Sequence, residues 1–265
     1  MDSDLPRNRV KERLARDEIA ATMAVRLVRG VEIARIAATA GLDSLYVDLE
    51  HAMFGAETTG QICLAALDMG ITPLVRLPAN QPEHIARAFE GGAMGIIAPH
   101  VRSAKEAQAI VAAAKFAPLG SRGVASLSPL TRFRSYPNAE AMAFINALTM
   151  VIVMIESGDG VAQVEEIVAV EGVDVAFIGA VDLAADLGIP GEFDHPRLHA
   201  AISTVIAACR RAGKHAGLGG LAARPDLMKT YAAMGARFVS TGADLNFLLG
   251  AAQQRAKAAH ALLTE

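Results

Sequence analysis

Eight short runs rich in β-branched residues alternate with Ala-rich helical segments from residue 20 almost to the end of the chain, a rhythm that few folds accommodate. The runs are Ala20 to Val28, Ser44 to Leu49, Thr72 to Leu77, Gly95 to Pro99, Met150 to Ile155, Val173 to Gly179, His215 to Leu218 and Phe238 to Thr241. Helical periodicity fills the intervals, for example Gly30 to Thr39, Thr59 to Asp68, Glu83 to Glu90, Ala104 to Lys115, Gly160 to Ala169 and His195 to Ala212. A strand joined to a parallel neighbour needs a crossover, and here every crossover has a helix to supply it. Eight such units predict an α/β fold, a closed (β/α)8 TIM barrel, in one domain over residues 1–265. No Gly-x-Gly-x-x-Gly follows the first run, which speaks against a dinucleotide-binding sheet.

Two segments flank the barrel. Residues 1–19 are charged throughout and read as helical. Residues 244–263 read as one long helix, with Phe247, Leu248, Ala251, Ala252, Ala259 and Leu262 on a wide apolar face suited to packing on another subunit. The longest irregular piece runs from Phe116 to Pro137 and carries Arg122, Arg132 and Arg134. Irregular stretches of that length in a compact domain are usually functional or disordered.

Charge and cysteines exclude several roles. With 25 basic and 28 acidic residues spread along the chain, a net charge of −3 offers no nucleic-acid footprint and no basic membrane patch. The first twenty residues lack the apolar centre of a signal peptide, and no apolar run is long enough to span a bilayer, so the expected location is the cytoplasm. Cys63 and Cys209 lie in apolar helical stretches and read as buried thiols.

In a barrel the active site is built at the C-terminal ends of the strands. Those ends are unusually polar here: Asp48-Leu-Glu50-His51, Arg76-Leu-Pro, Pro99-His100, Glu156 and Asp182. Alternation puts Ile152, Met154 and Glu156 on one face of their strand, Leu74 and Arg76 on one face of theirs, and Asp48 with Glu50. Glu156 and Asp182 close two successive apolar strands, where a carboxylate is costly unless paired or bound to a cation. One reading is a hard divalent ion on Glu156 and Asp182. The other has Glu156 paired with a loop arginine and Asp182 as an N-cap of the helix after it. Spacing leaves both standing. His51 is likewise either a base or a solvated loop histidine, and Arg76 either a catalytic cation or half of an ion pair, with Glu90 one helix later as a partner. No lysine falls on a strand, which disfavours a Schiff-base aldolase.

Taken in order, Asp48-Leu-Glu-His51, Val75-Arg76-Leu-Pro78, Gly120-Ser-Arg122-Gly, Met154-Ile-Glu156-Ser and Phe177-Ile-Gly-Ala-Val-Asp182-Leu-Ala-Ala-Asp186 resemble the metal-dependent (class II) pyruvate aldolases of the HpcH/HpaI family. That family includes 4-hydroxy-2-oxoheptanedioate aldolase and 2-dehydro-3-deoxyglucarate aldolase. The resemblance implies reversible cleavage of a 4-hydroxy-2-oxo acid to pyruvate, or a relative such as hydroxypyruvate, and an aldehyde through a metal-stabilised enolate. It implies Glu156 and Asp182 as ligands of Mg²⁺, Mn²⁺ or Co²⁺, Arg76 beside the enolate oxygen, and His51 as base. Asp48 is the acidic residue near that histidine, and Glu90 the helix carboxylate that raises its basicity. Met154, Val181 and Asp182 would line the 2-oxo acid site, and Arg122 would reach the aldehyde side, from its own or from a neighbouring subunit. It also implies a homo-oligomer, a hexamer built as a trimer of dimers that exchange their C-terminal helices. Two alternatives remain: a citrate-lyase-like carbon–carbon lyase acting on an acyl-CoA, and a barrel that binds a 2-oxo acid without turnover.

Overall fold

The computed structural model describes residues 4–124 and 127–263, so the outermost residues of the two flanking segments and positions 125–126 of the long irregular piece lie outside the described residues. The strands are β1 Ala20–Val25, β2 Ser44–Asp48, β3 Thr72–Arg76, β4 Gly95–Ala98, β5 Met150–Ile155, β6 Val175–Gly179, β7 His215–Gly219 and β8 Ala236–Ala243. Each pairs in parallel with the next and β8 pairs with β1, which closes the predicted TIM barrel. The helices are α1 Arg9–Ala15, α2 Glu32–Thr39, α3 Ala56–Asp68, α4 Pro82–Glu90, α5 Ala104–Ala114, α6 Asn138–Leu148, α7 Gly158–Ala162, α8 Val164–Ala169, α9 Ala180–Asp186, α10 Pro196–Arg211, α11 Pro225–Met234 and α12 Asp244–His260. None is long and apolar enough to cross a membrane.

Strand alternation sorts the apolar residues into two cores. Ala24, Tyr46, Leu74, Ile97, Met150, Ile152, Met154, Val175, Phe177 and Phe238 fill the barrel. The intervening residues, among them Val75, Ile96, Val153 and Ile178, pack outward against the helices. Burial on both faces is why these strands read as unbroken apolar runs. Inward glycines make room for the Phe177 ring: a Cβ on Gly219 would lie 2.7 Å from it.

The charged N-terminal segment does more than the sequence suggests. Val10 and Leu14 of α1 join the barrel interior, so the helix plugs the end opposite the active site. Polar contacts fix it there: Asn8 caps the helix and donates through Nδ2 to the Leu148 carbonyl at 2.8 Å, and the Val10 amide donates to Thr72 Oγ1 at 3.2 Å.

Three departures from the expected elements have local causes. The first strand stops at Val25, not Val28, because the amides of Arg26, Leu27 and Val28 donate to the carboxylate of Asp244 at 2.8 to 3.2 Å. Helix 160–169 is two pieces, broken at Gln163 where φ is −104° and ψ is 10°. The C-terminal helix is present, yet of all its residues only Asp244 is buried, and Leu245, Phe247, Leu248 and Leu249 face outward.

Candidate active site

Register assembles the site. The β1–β2 pairing ends with Val25 beside Val47, and β2–β3 ends with Asp48 beside Arg76. Ala24, Tyr46 and Leu74 therefore form one inward layer, and two residues further on Arg26, Asp48 and Arg76 form the next. Asp48, fully buried, accepts from Arg76 Nε at 2.9 Å and Nη2 at 2.5 Å, and from Arg26 Nε at 2.6 Å. The Glu50 and His51 amides donate to it at 3.1 and 3.2 Å. Burial pushes the Asp48 carboxyl up, but the Arg76 hydrogen bonds and the charges of Arg76 and Arg26 outweigh it and hold the group below the usual carboxylate value. Arg76 Nη1 reaches Glu50 Oε2 at 3.0 Å and lies 3.9 Å from the Met154 sulfur. The partner that sequence reading suggested for Arg76, Glu90, is replaced by Asp48 and Glu50.

On the other side of the mouth His100 links two carboxylates. Its backbone is left-handed, with φ of 55°, a conformation uncommon outside glycine. That turn aims the His100 amide at Glu156 Oε1, 2.7 Å away, and sets the ring between Glu156 Oε1 and Glu50 Oε1 at 2.9 Å each. Glu156 is buried, and burial raises its pKa, with the nearby charges of Glu50 and Asp182 adding to the rise and the His100 contacts opposing it. Its second oxygen, Oε2, is buried with no hydrogen-bond partner. That oxygen faces β6: a Cβ on Gly179 would sit 2.6 Å from it.

A cavity of about 220 Å³ opens beside these groups, lined by Arg26, His51, Arg76, Met154, Phe177 and Asp182 among others. Asp182 is exposed in the first turn of α9 and caps nothing, so the N-cap reading fails. His51 is exposed and its ring meets no polar partner among the described residues, whereas the ring of His100 is held on both nitrogens. Val181 is 49% exposed at the cavity wall.

Glu90 and Arg122 are not part of this constellation. α4 leads away from the mouth, and Glu90 at its last residue lies towards the opposite end of the barrel. There it accepts from Arg122 Nη2 at 2.8 Å, and Arg122 is buried between the rings of Phe89 and Phe116 at 4.7 and 4.8 Å. Within this subunit Glu90 therefore does not tune His51, and Arg122 does not reach the substrate. Conversely Arg26, placed by sequence inside a longer first strand, Glu50, given no role, and His100, which as the residue closing its strand could on sequence share the proton transfer with His51, are central. Register is the signal that would have exposed Arg26.

Which ion would fit is a question of donors. Glu50, His100 and Glu156 have ligand atoms within 4.8 Å of one another. A cation among them would displace both His100 contacts and stand beside the Arg76 guanidinium on Glu50. The unpartnered Glu156 Oε2 instead faces Gly179, one residue before the helix that carries Asp182, where no cation competes. Glu156 and Asp182 thus suit a hard divalent ion that leaves positions for substrate oxygens.

A profile of the family described as HpcH/HpaI aldolase/citrate lyase matches residues 29–251. Among curated relatives, the 4-hydroxy-4-methyl-2-oxoglutarate aldolase of Chaetomium globosum is 37% identical over 254 residues, 95% of this chain and 94% of its own. The hydroxypyruvate/pyruvate aldolase of Sagittula stellata is 34% identical over 253 residues, 95% of this chain and 98% of its own. Among solved structures, the HpcH/HpaI aldolase from Desulfitobacterium hafniense superposes with a TM-score of 0.91 at 31% identity, covering 96% of this chain and 97% of that one. The match spans Glu50, Arg76, Glu156 and Asp182 at a barrel mouth built around them, and this protein belongs to the HpcH/HpaI aldolase/citrate lyase family.

Proposed function

We propose that this chain reversibly cleaves the C3–C4 bond of a 4-hydroxy-2-oxo acid, releasing pyruvate or a close relative and a second carbonyl compound, with Mg²⁺, Mn²⁺ or Co²⁺ held by Glu156 and Asp182. The family and its named relatives make it a carbon–carbon lyase of aldolase type. The observation that carries the finer reading is the buried, unpartnered Glu156 Oε2. An anionic oxygen left bare in a protein interior is costly, and a bound cation removes that cost.

Such an ion supplies Lewis-acid polarisation of the 2-oxo acid's oxygens. The protein supplies the rest. Arg76 brings a fixed positive charge to the enolate oxygen; Asp48 grips two of its nitrogens, so little reorganisation is needed as charge develops. His51, exposed on the cavity and tied by its amide to Asp48, moves the proton between the 4-hydroxyl, solvent and C3. Met154 and Phe177 wall the donor site against water, and the Val181 backbone borders it. The exposed Leu245, Leu248 and Leu249 of α12 support assembly as a homo-oligomer, a hexamer on the resemblance.

The test is exchange of pyruvate C3 protons in D₂O, followed by NMR. Chelator-treated protein is expected to be silent, added Mn²⁺ to restore exchange, and Glu156→Gln to abolish it. Exchange at the full rate in chelator would overturn the reading.

A further inference from the structure

Arg26 is the side chain that the fold brings to the mouth without an assigned task. Of the five N–H groups on its guanidinium, one donates to Asp48 Oδ2, and none of the others meets a described residue. Arg76 by contrast uses both edges of its fork, on Asp48 and on Glu50. The Arg26 side chain is 35% exposed, so its free edge is open to a ligand. It stands on the seam between the cavity described above and a second one of about 520 Å³ over β7, β8 and β1, bordered by Gly220, Ser240, Thr241 and Asn246. Arg26 and Arg76 are the only arginines or lysines lining either cavity among the described residues.

The two guanidinium groups are neighbours, since both donate to the same oxygen of Asp48. With Arg76 assigned to the enolate oxygen, Arg26 is the second cation lining the same cavity, next to Arg76 and nearer its open edge. A planar fork with free N–H groups in a partly closed site recognises a carboxylate in two-point fashion. Its backbone is anchored as well: the Arg26 amide donates to Asp244 Oδ1 at 2.9 Å, which fixes where the side chain begins.

We propose that Arg26 determines acceptor specificity by binding a carboxylate next to the reacting carbonyl, so that the acceptor is a short oxo acid and not a neutral aldehyde. The inference rests on the aldolase reading given above. In cleavage the C3–C4 bond breaks and its electron pair stays on C3. The 4-hydroxyl loses its proton as C4 becomes the carbonyl of the departing oxo acid, and a proton is returned to C3. The carboxylate on C4 remains against Arg26 throughout, and no oxidant or reductant is consumed.

The experiment compares glyoxylate with glycolaldehyde as acceptors for pyruvate, using the Mg²⁺-loaded full-length enzyme. Arg26→Met is expected to lower the ratio of the two kcat/KM values by about 10- to 100-fold, the loss of hydrogen bonds to a charged group. Arg26→Lys should recover part of it. Damage passed through Asp48 would slow both acceptors alike and leave the ratio untouched, and an unchanged ratio overturns the proposal. Binding of lactate in the presence of Mg²⁺ and oxalate reads the same contact without turnover: affinity should fall at least about 10-fold in Arg26→Met, and equal affinity overturns the assignment. Failure of the wild-type protein to exchange pyruvate C3 protons would instead refute the aldolase reading, with the lactate titration still deciding Arg26.

Discussion

Replacing Asp48 by Ala removes a carboxylate that is fully buried and holds Arg76 through two hydrogen bonds, at 2.9 and 2.5 Å. Arg76, with a side chain 5% exposed, would keep its contact to Glu50 at 3.0 Å but lose its principal counter-charge. Breaking one side of a buried pair usually costs about 3–5 kcal/mol. The surviving Glu50 contact offsets part of that, and the bond to the partly exposed Arg26 adds no more than about 1 kcal/mol after solvent screening. A net loss of about 2–4 kcal/mol follows. Urea unfolding is the assay, followed by far-ultraviolet circular dichroism because the chain has no Trp, in the presence of chelator so that ion binding does not contribute. The companion measurement is a double-mutant cycle. Arg76→Met together with Asp48→Ala should be less unstable than the two single losses combined, by at least about 1 kcal/mol, because each single change strands the other's charge. A loss below about 1 kcal/mol for Asp48→Ala, or strict additivity in the cycle, would refute the view that Asp48 and Arg76 act as one buried unit.

Two further outcomes test parts of the fold outside the mouth. Leu14→Ala should destabilise the barrel by about 2–5 kcal/mol while leaving helix content largely intact, since Leu14 is 3% exposed inside the plugged end; urea midpoints decide. Lys115 is buried, and burial lowers its pKa from 10.5 to about 8 although Nζ donates to the carbonyls of Asn146 and Thr149 at 2.9 and 2.7 Å. Between those values the unfolded chain binds the proton and the native state does not, so stability due to this group rises with pH, by about 3 kcal/mol across the interval. Wild-type urea midpoints should gain on Lys115→Met between pH 7.5 and 10; a constant difference would refute it.

The barrel was legible because both faces of every strand are covered, which writes unbroken apolar runs into the sequence. Its inward face was legible too: the period-two rule assigned Met154 and Glu156, and Leu74 and Arg76, to the sides on which they lie. Register was not legible, since it is set by pairing between strands and leaves no trace within one. Arg26 is therefore invisible to sequence reading, and Arg76 was given the wrong partner. Glu90 and Arg122 illustrate a different loss. Both were given roles on the strength of the resemblance, but a nine-residue helix carries Glu90 about 13 Å along its axis from the strand end, and nothing local records that displacement. His100 depends on a left-handed backbone at a non-glycine residue, a conformation that residue type alone does not announce.

The carboxylate of Asp244 ties the amides of residues 26–28 to the root of α12, and no other residue of that helix is buried. Asp244 thus joins the root of the helix to the rim of the barrel mouth. If Arg26 holds the acceptor as proposed, the root of α12 is part of what positions it, because the Asp244 carboxylate fixes the amide from which that side chain starts.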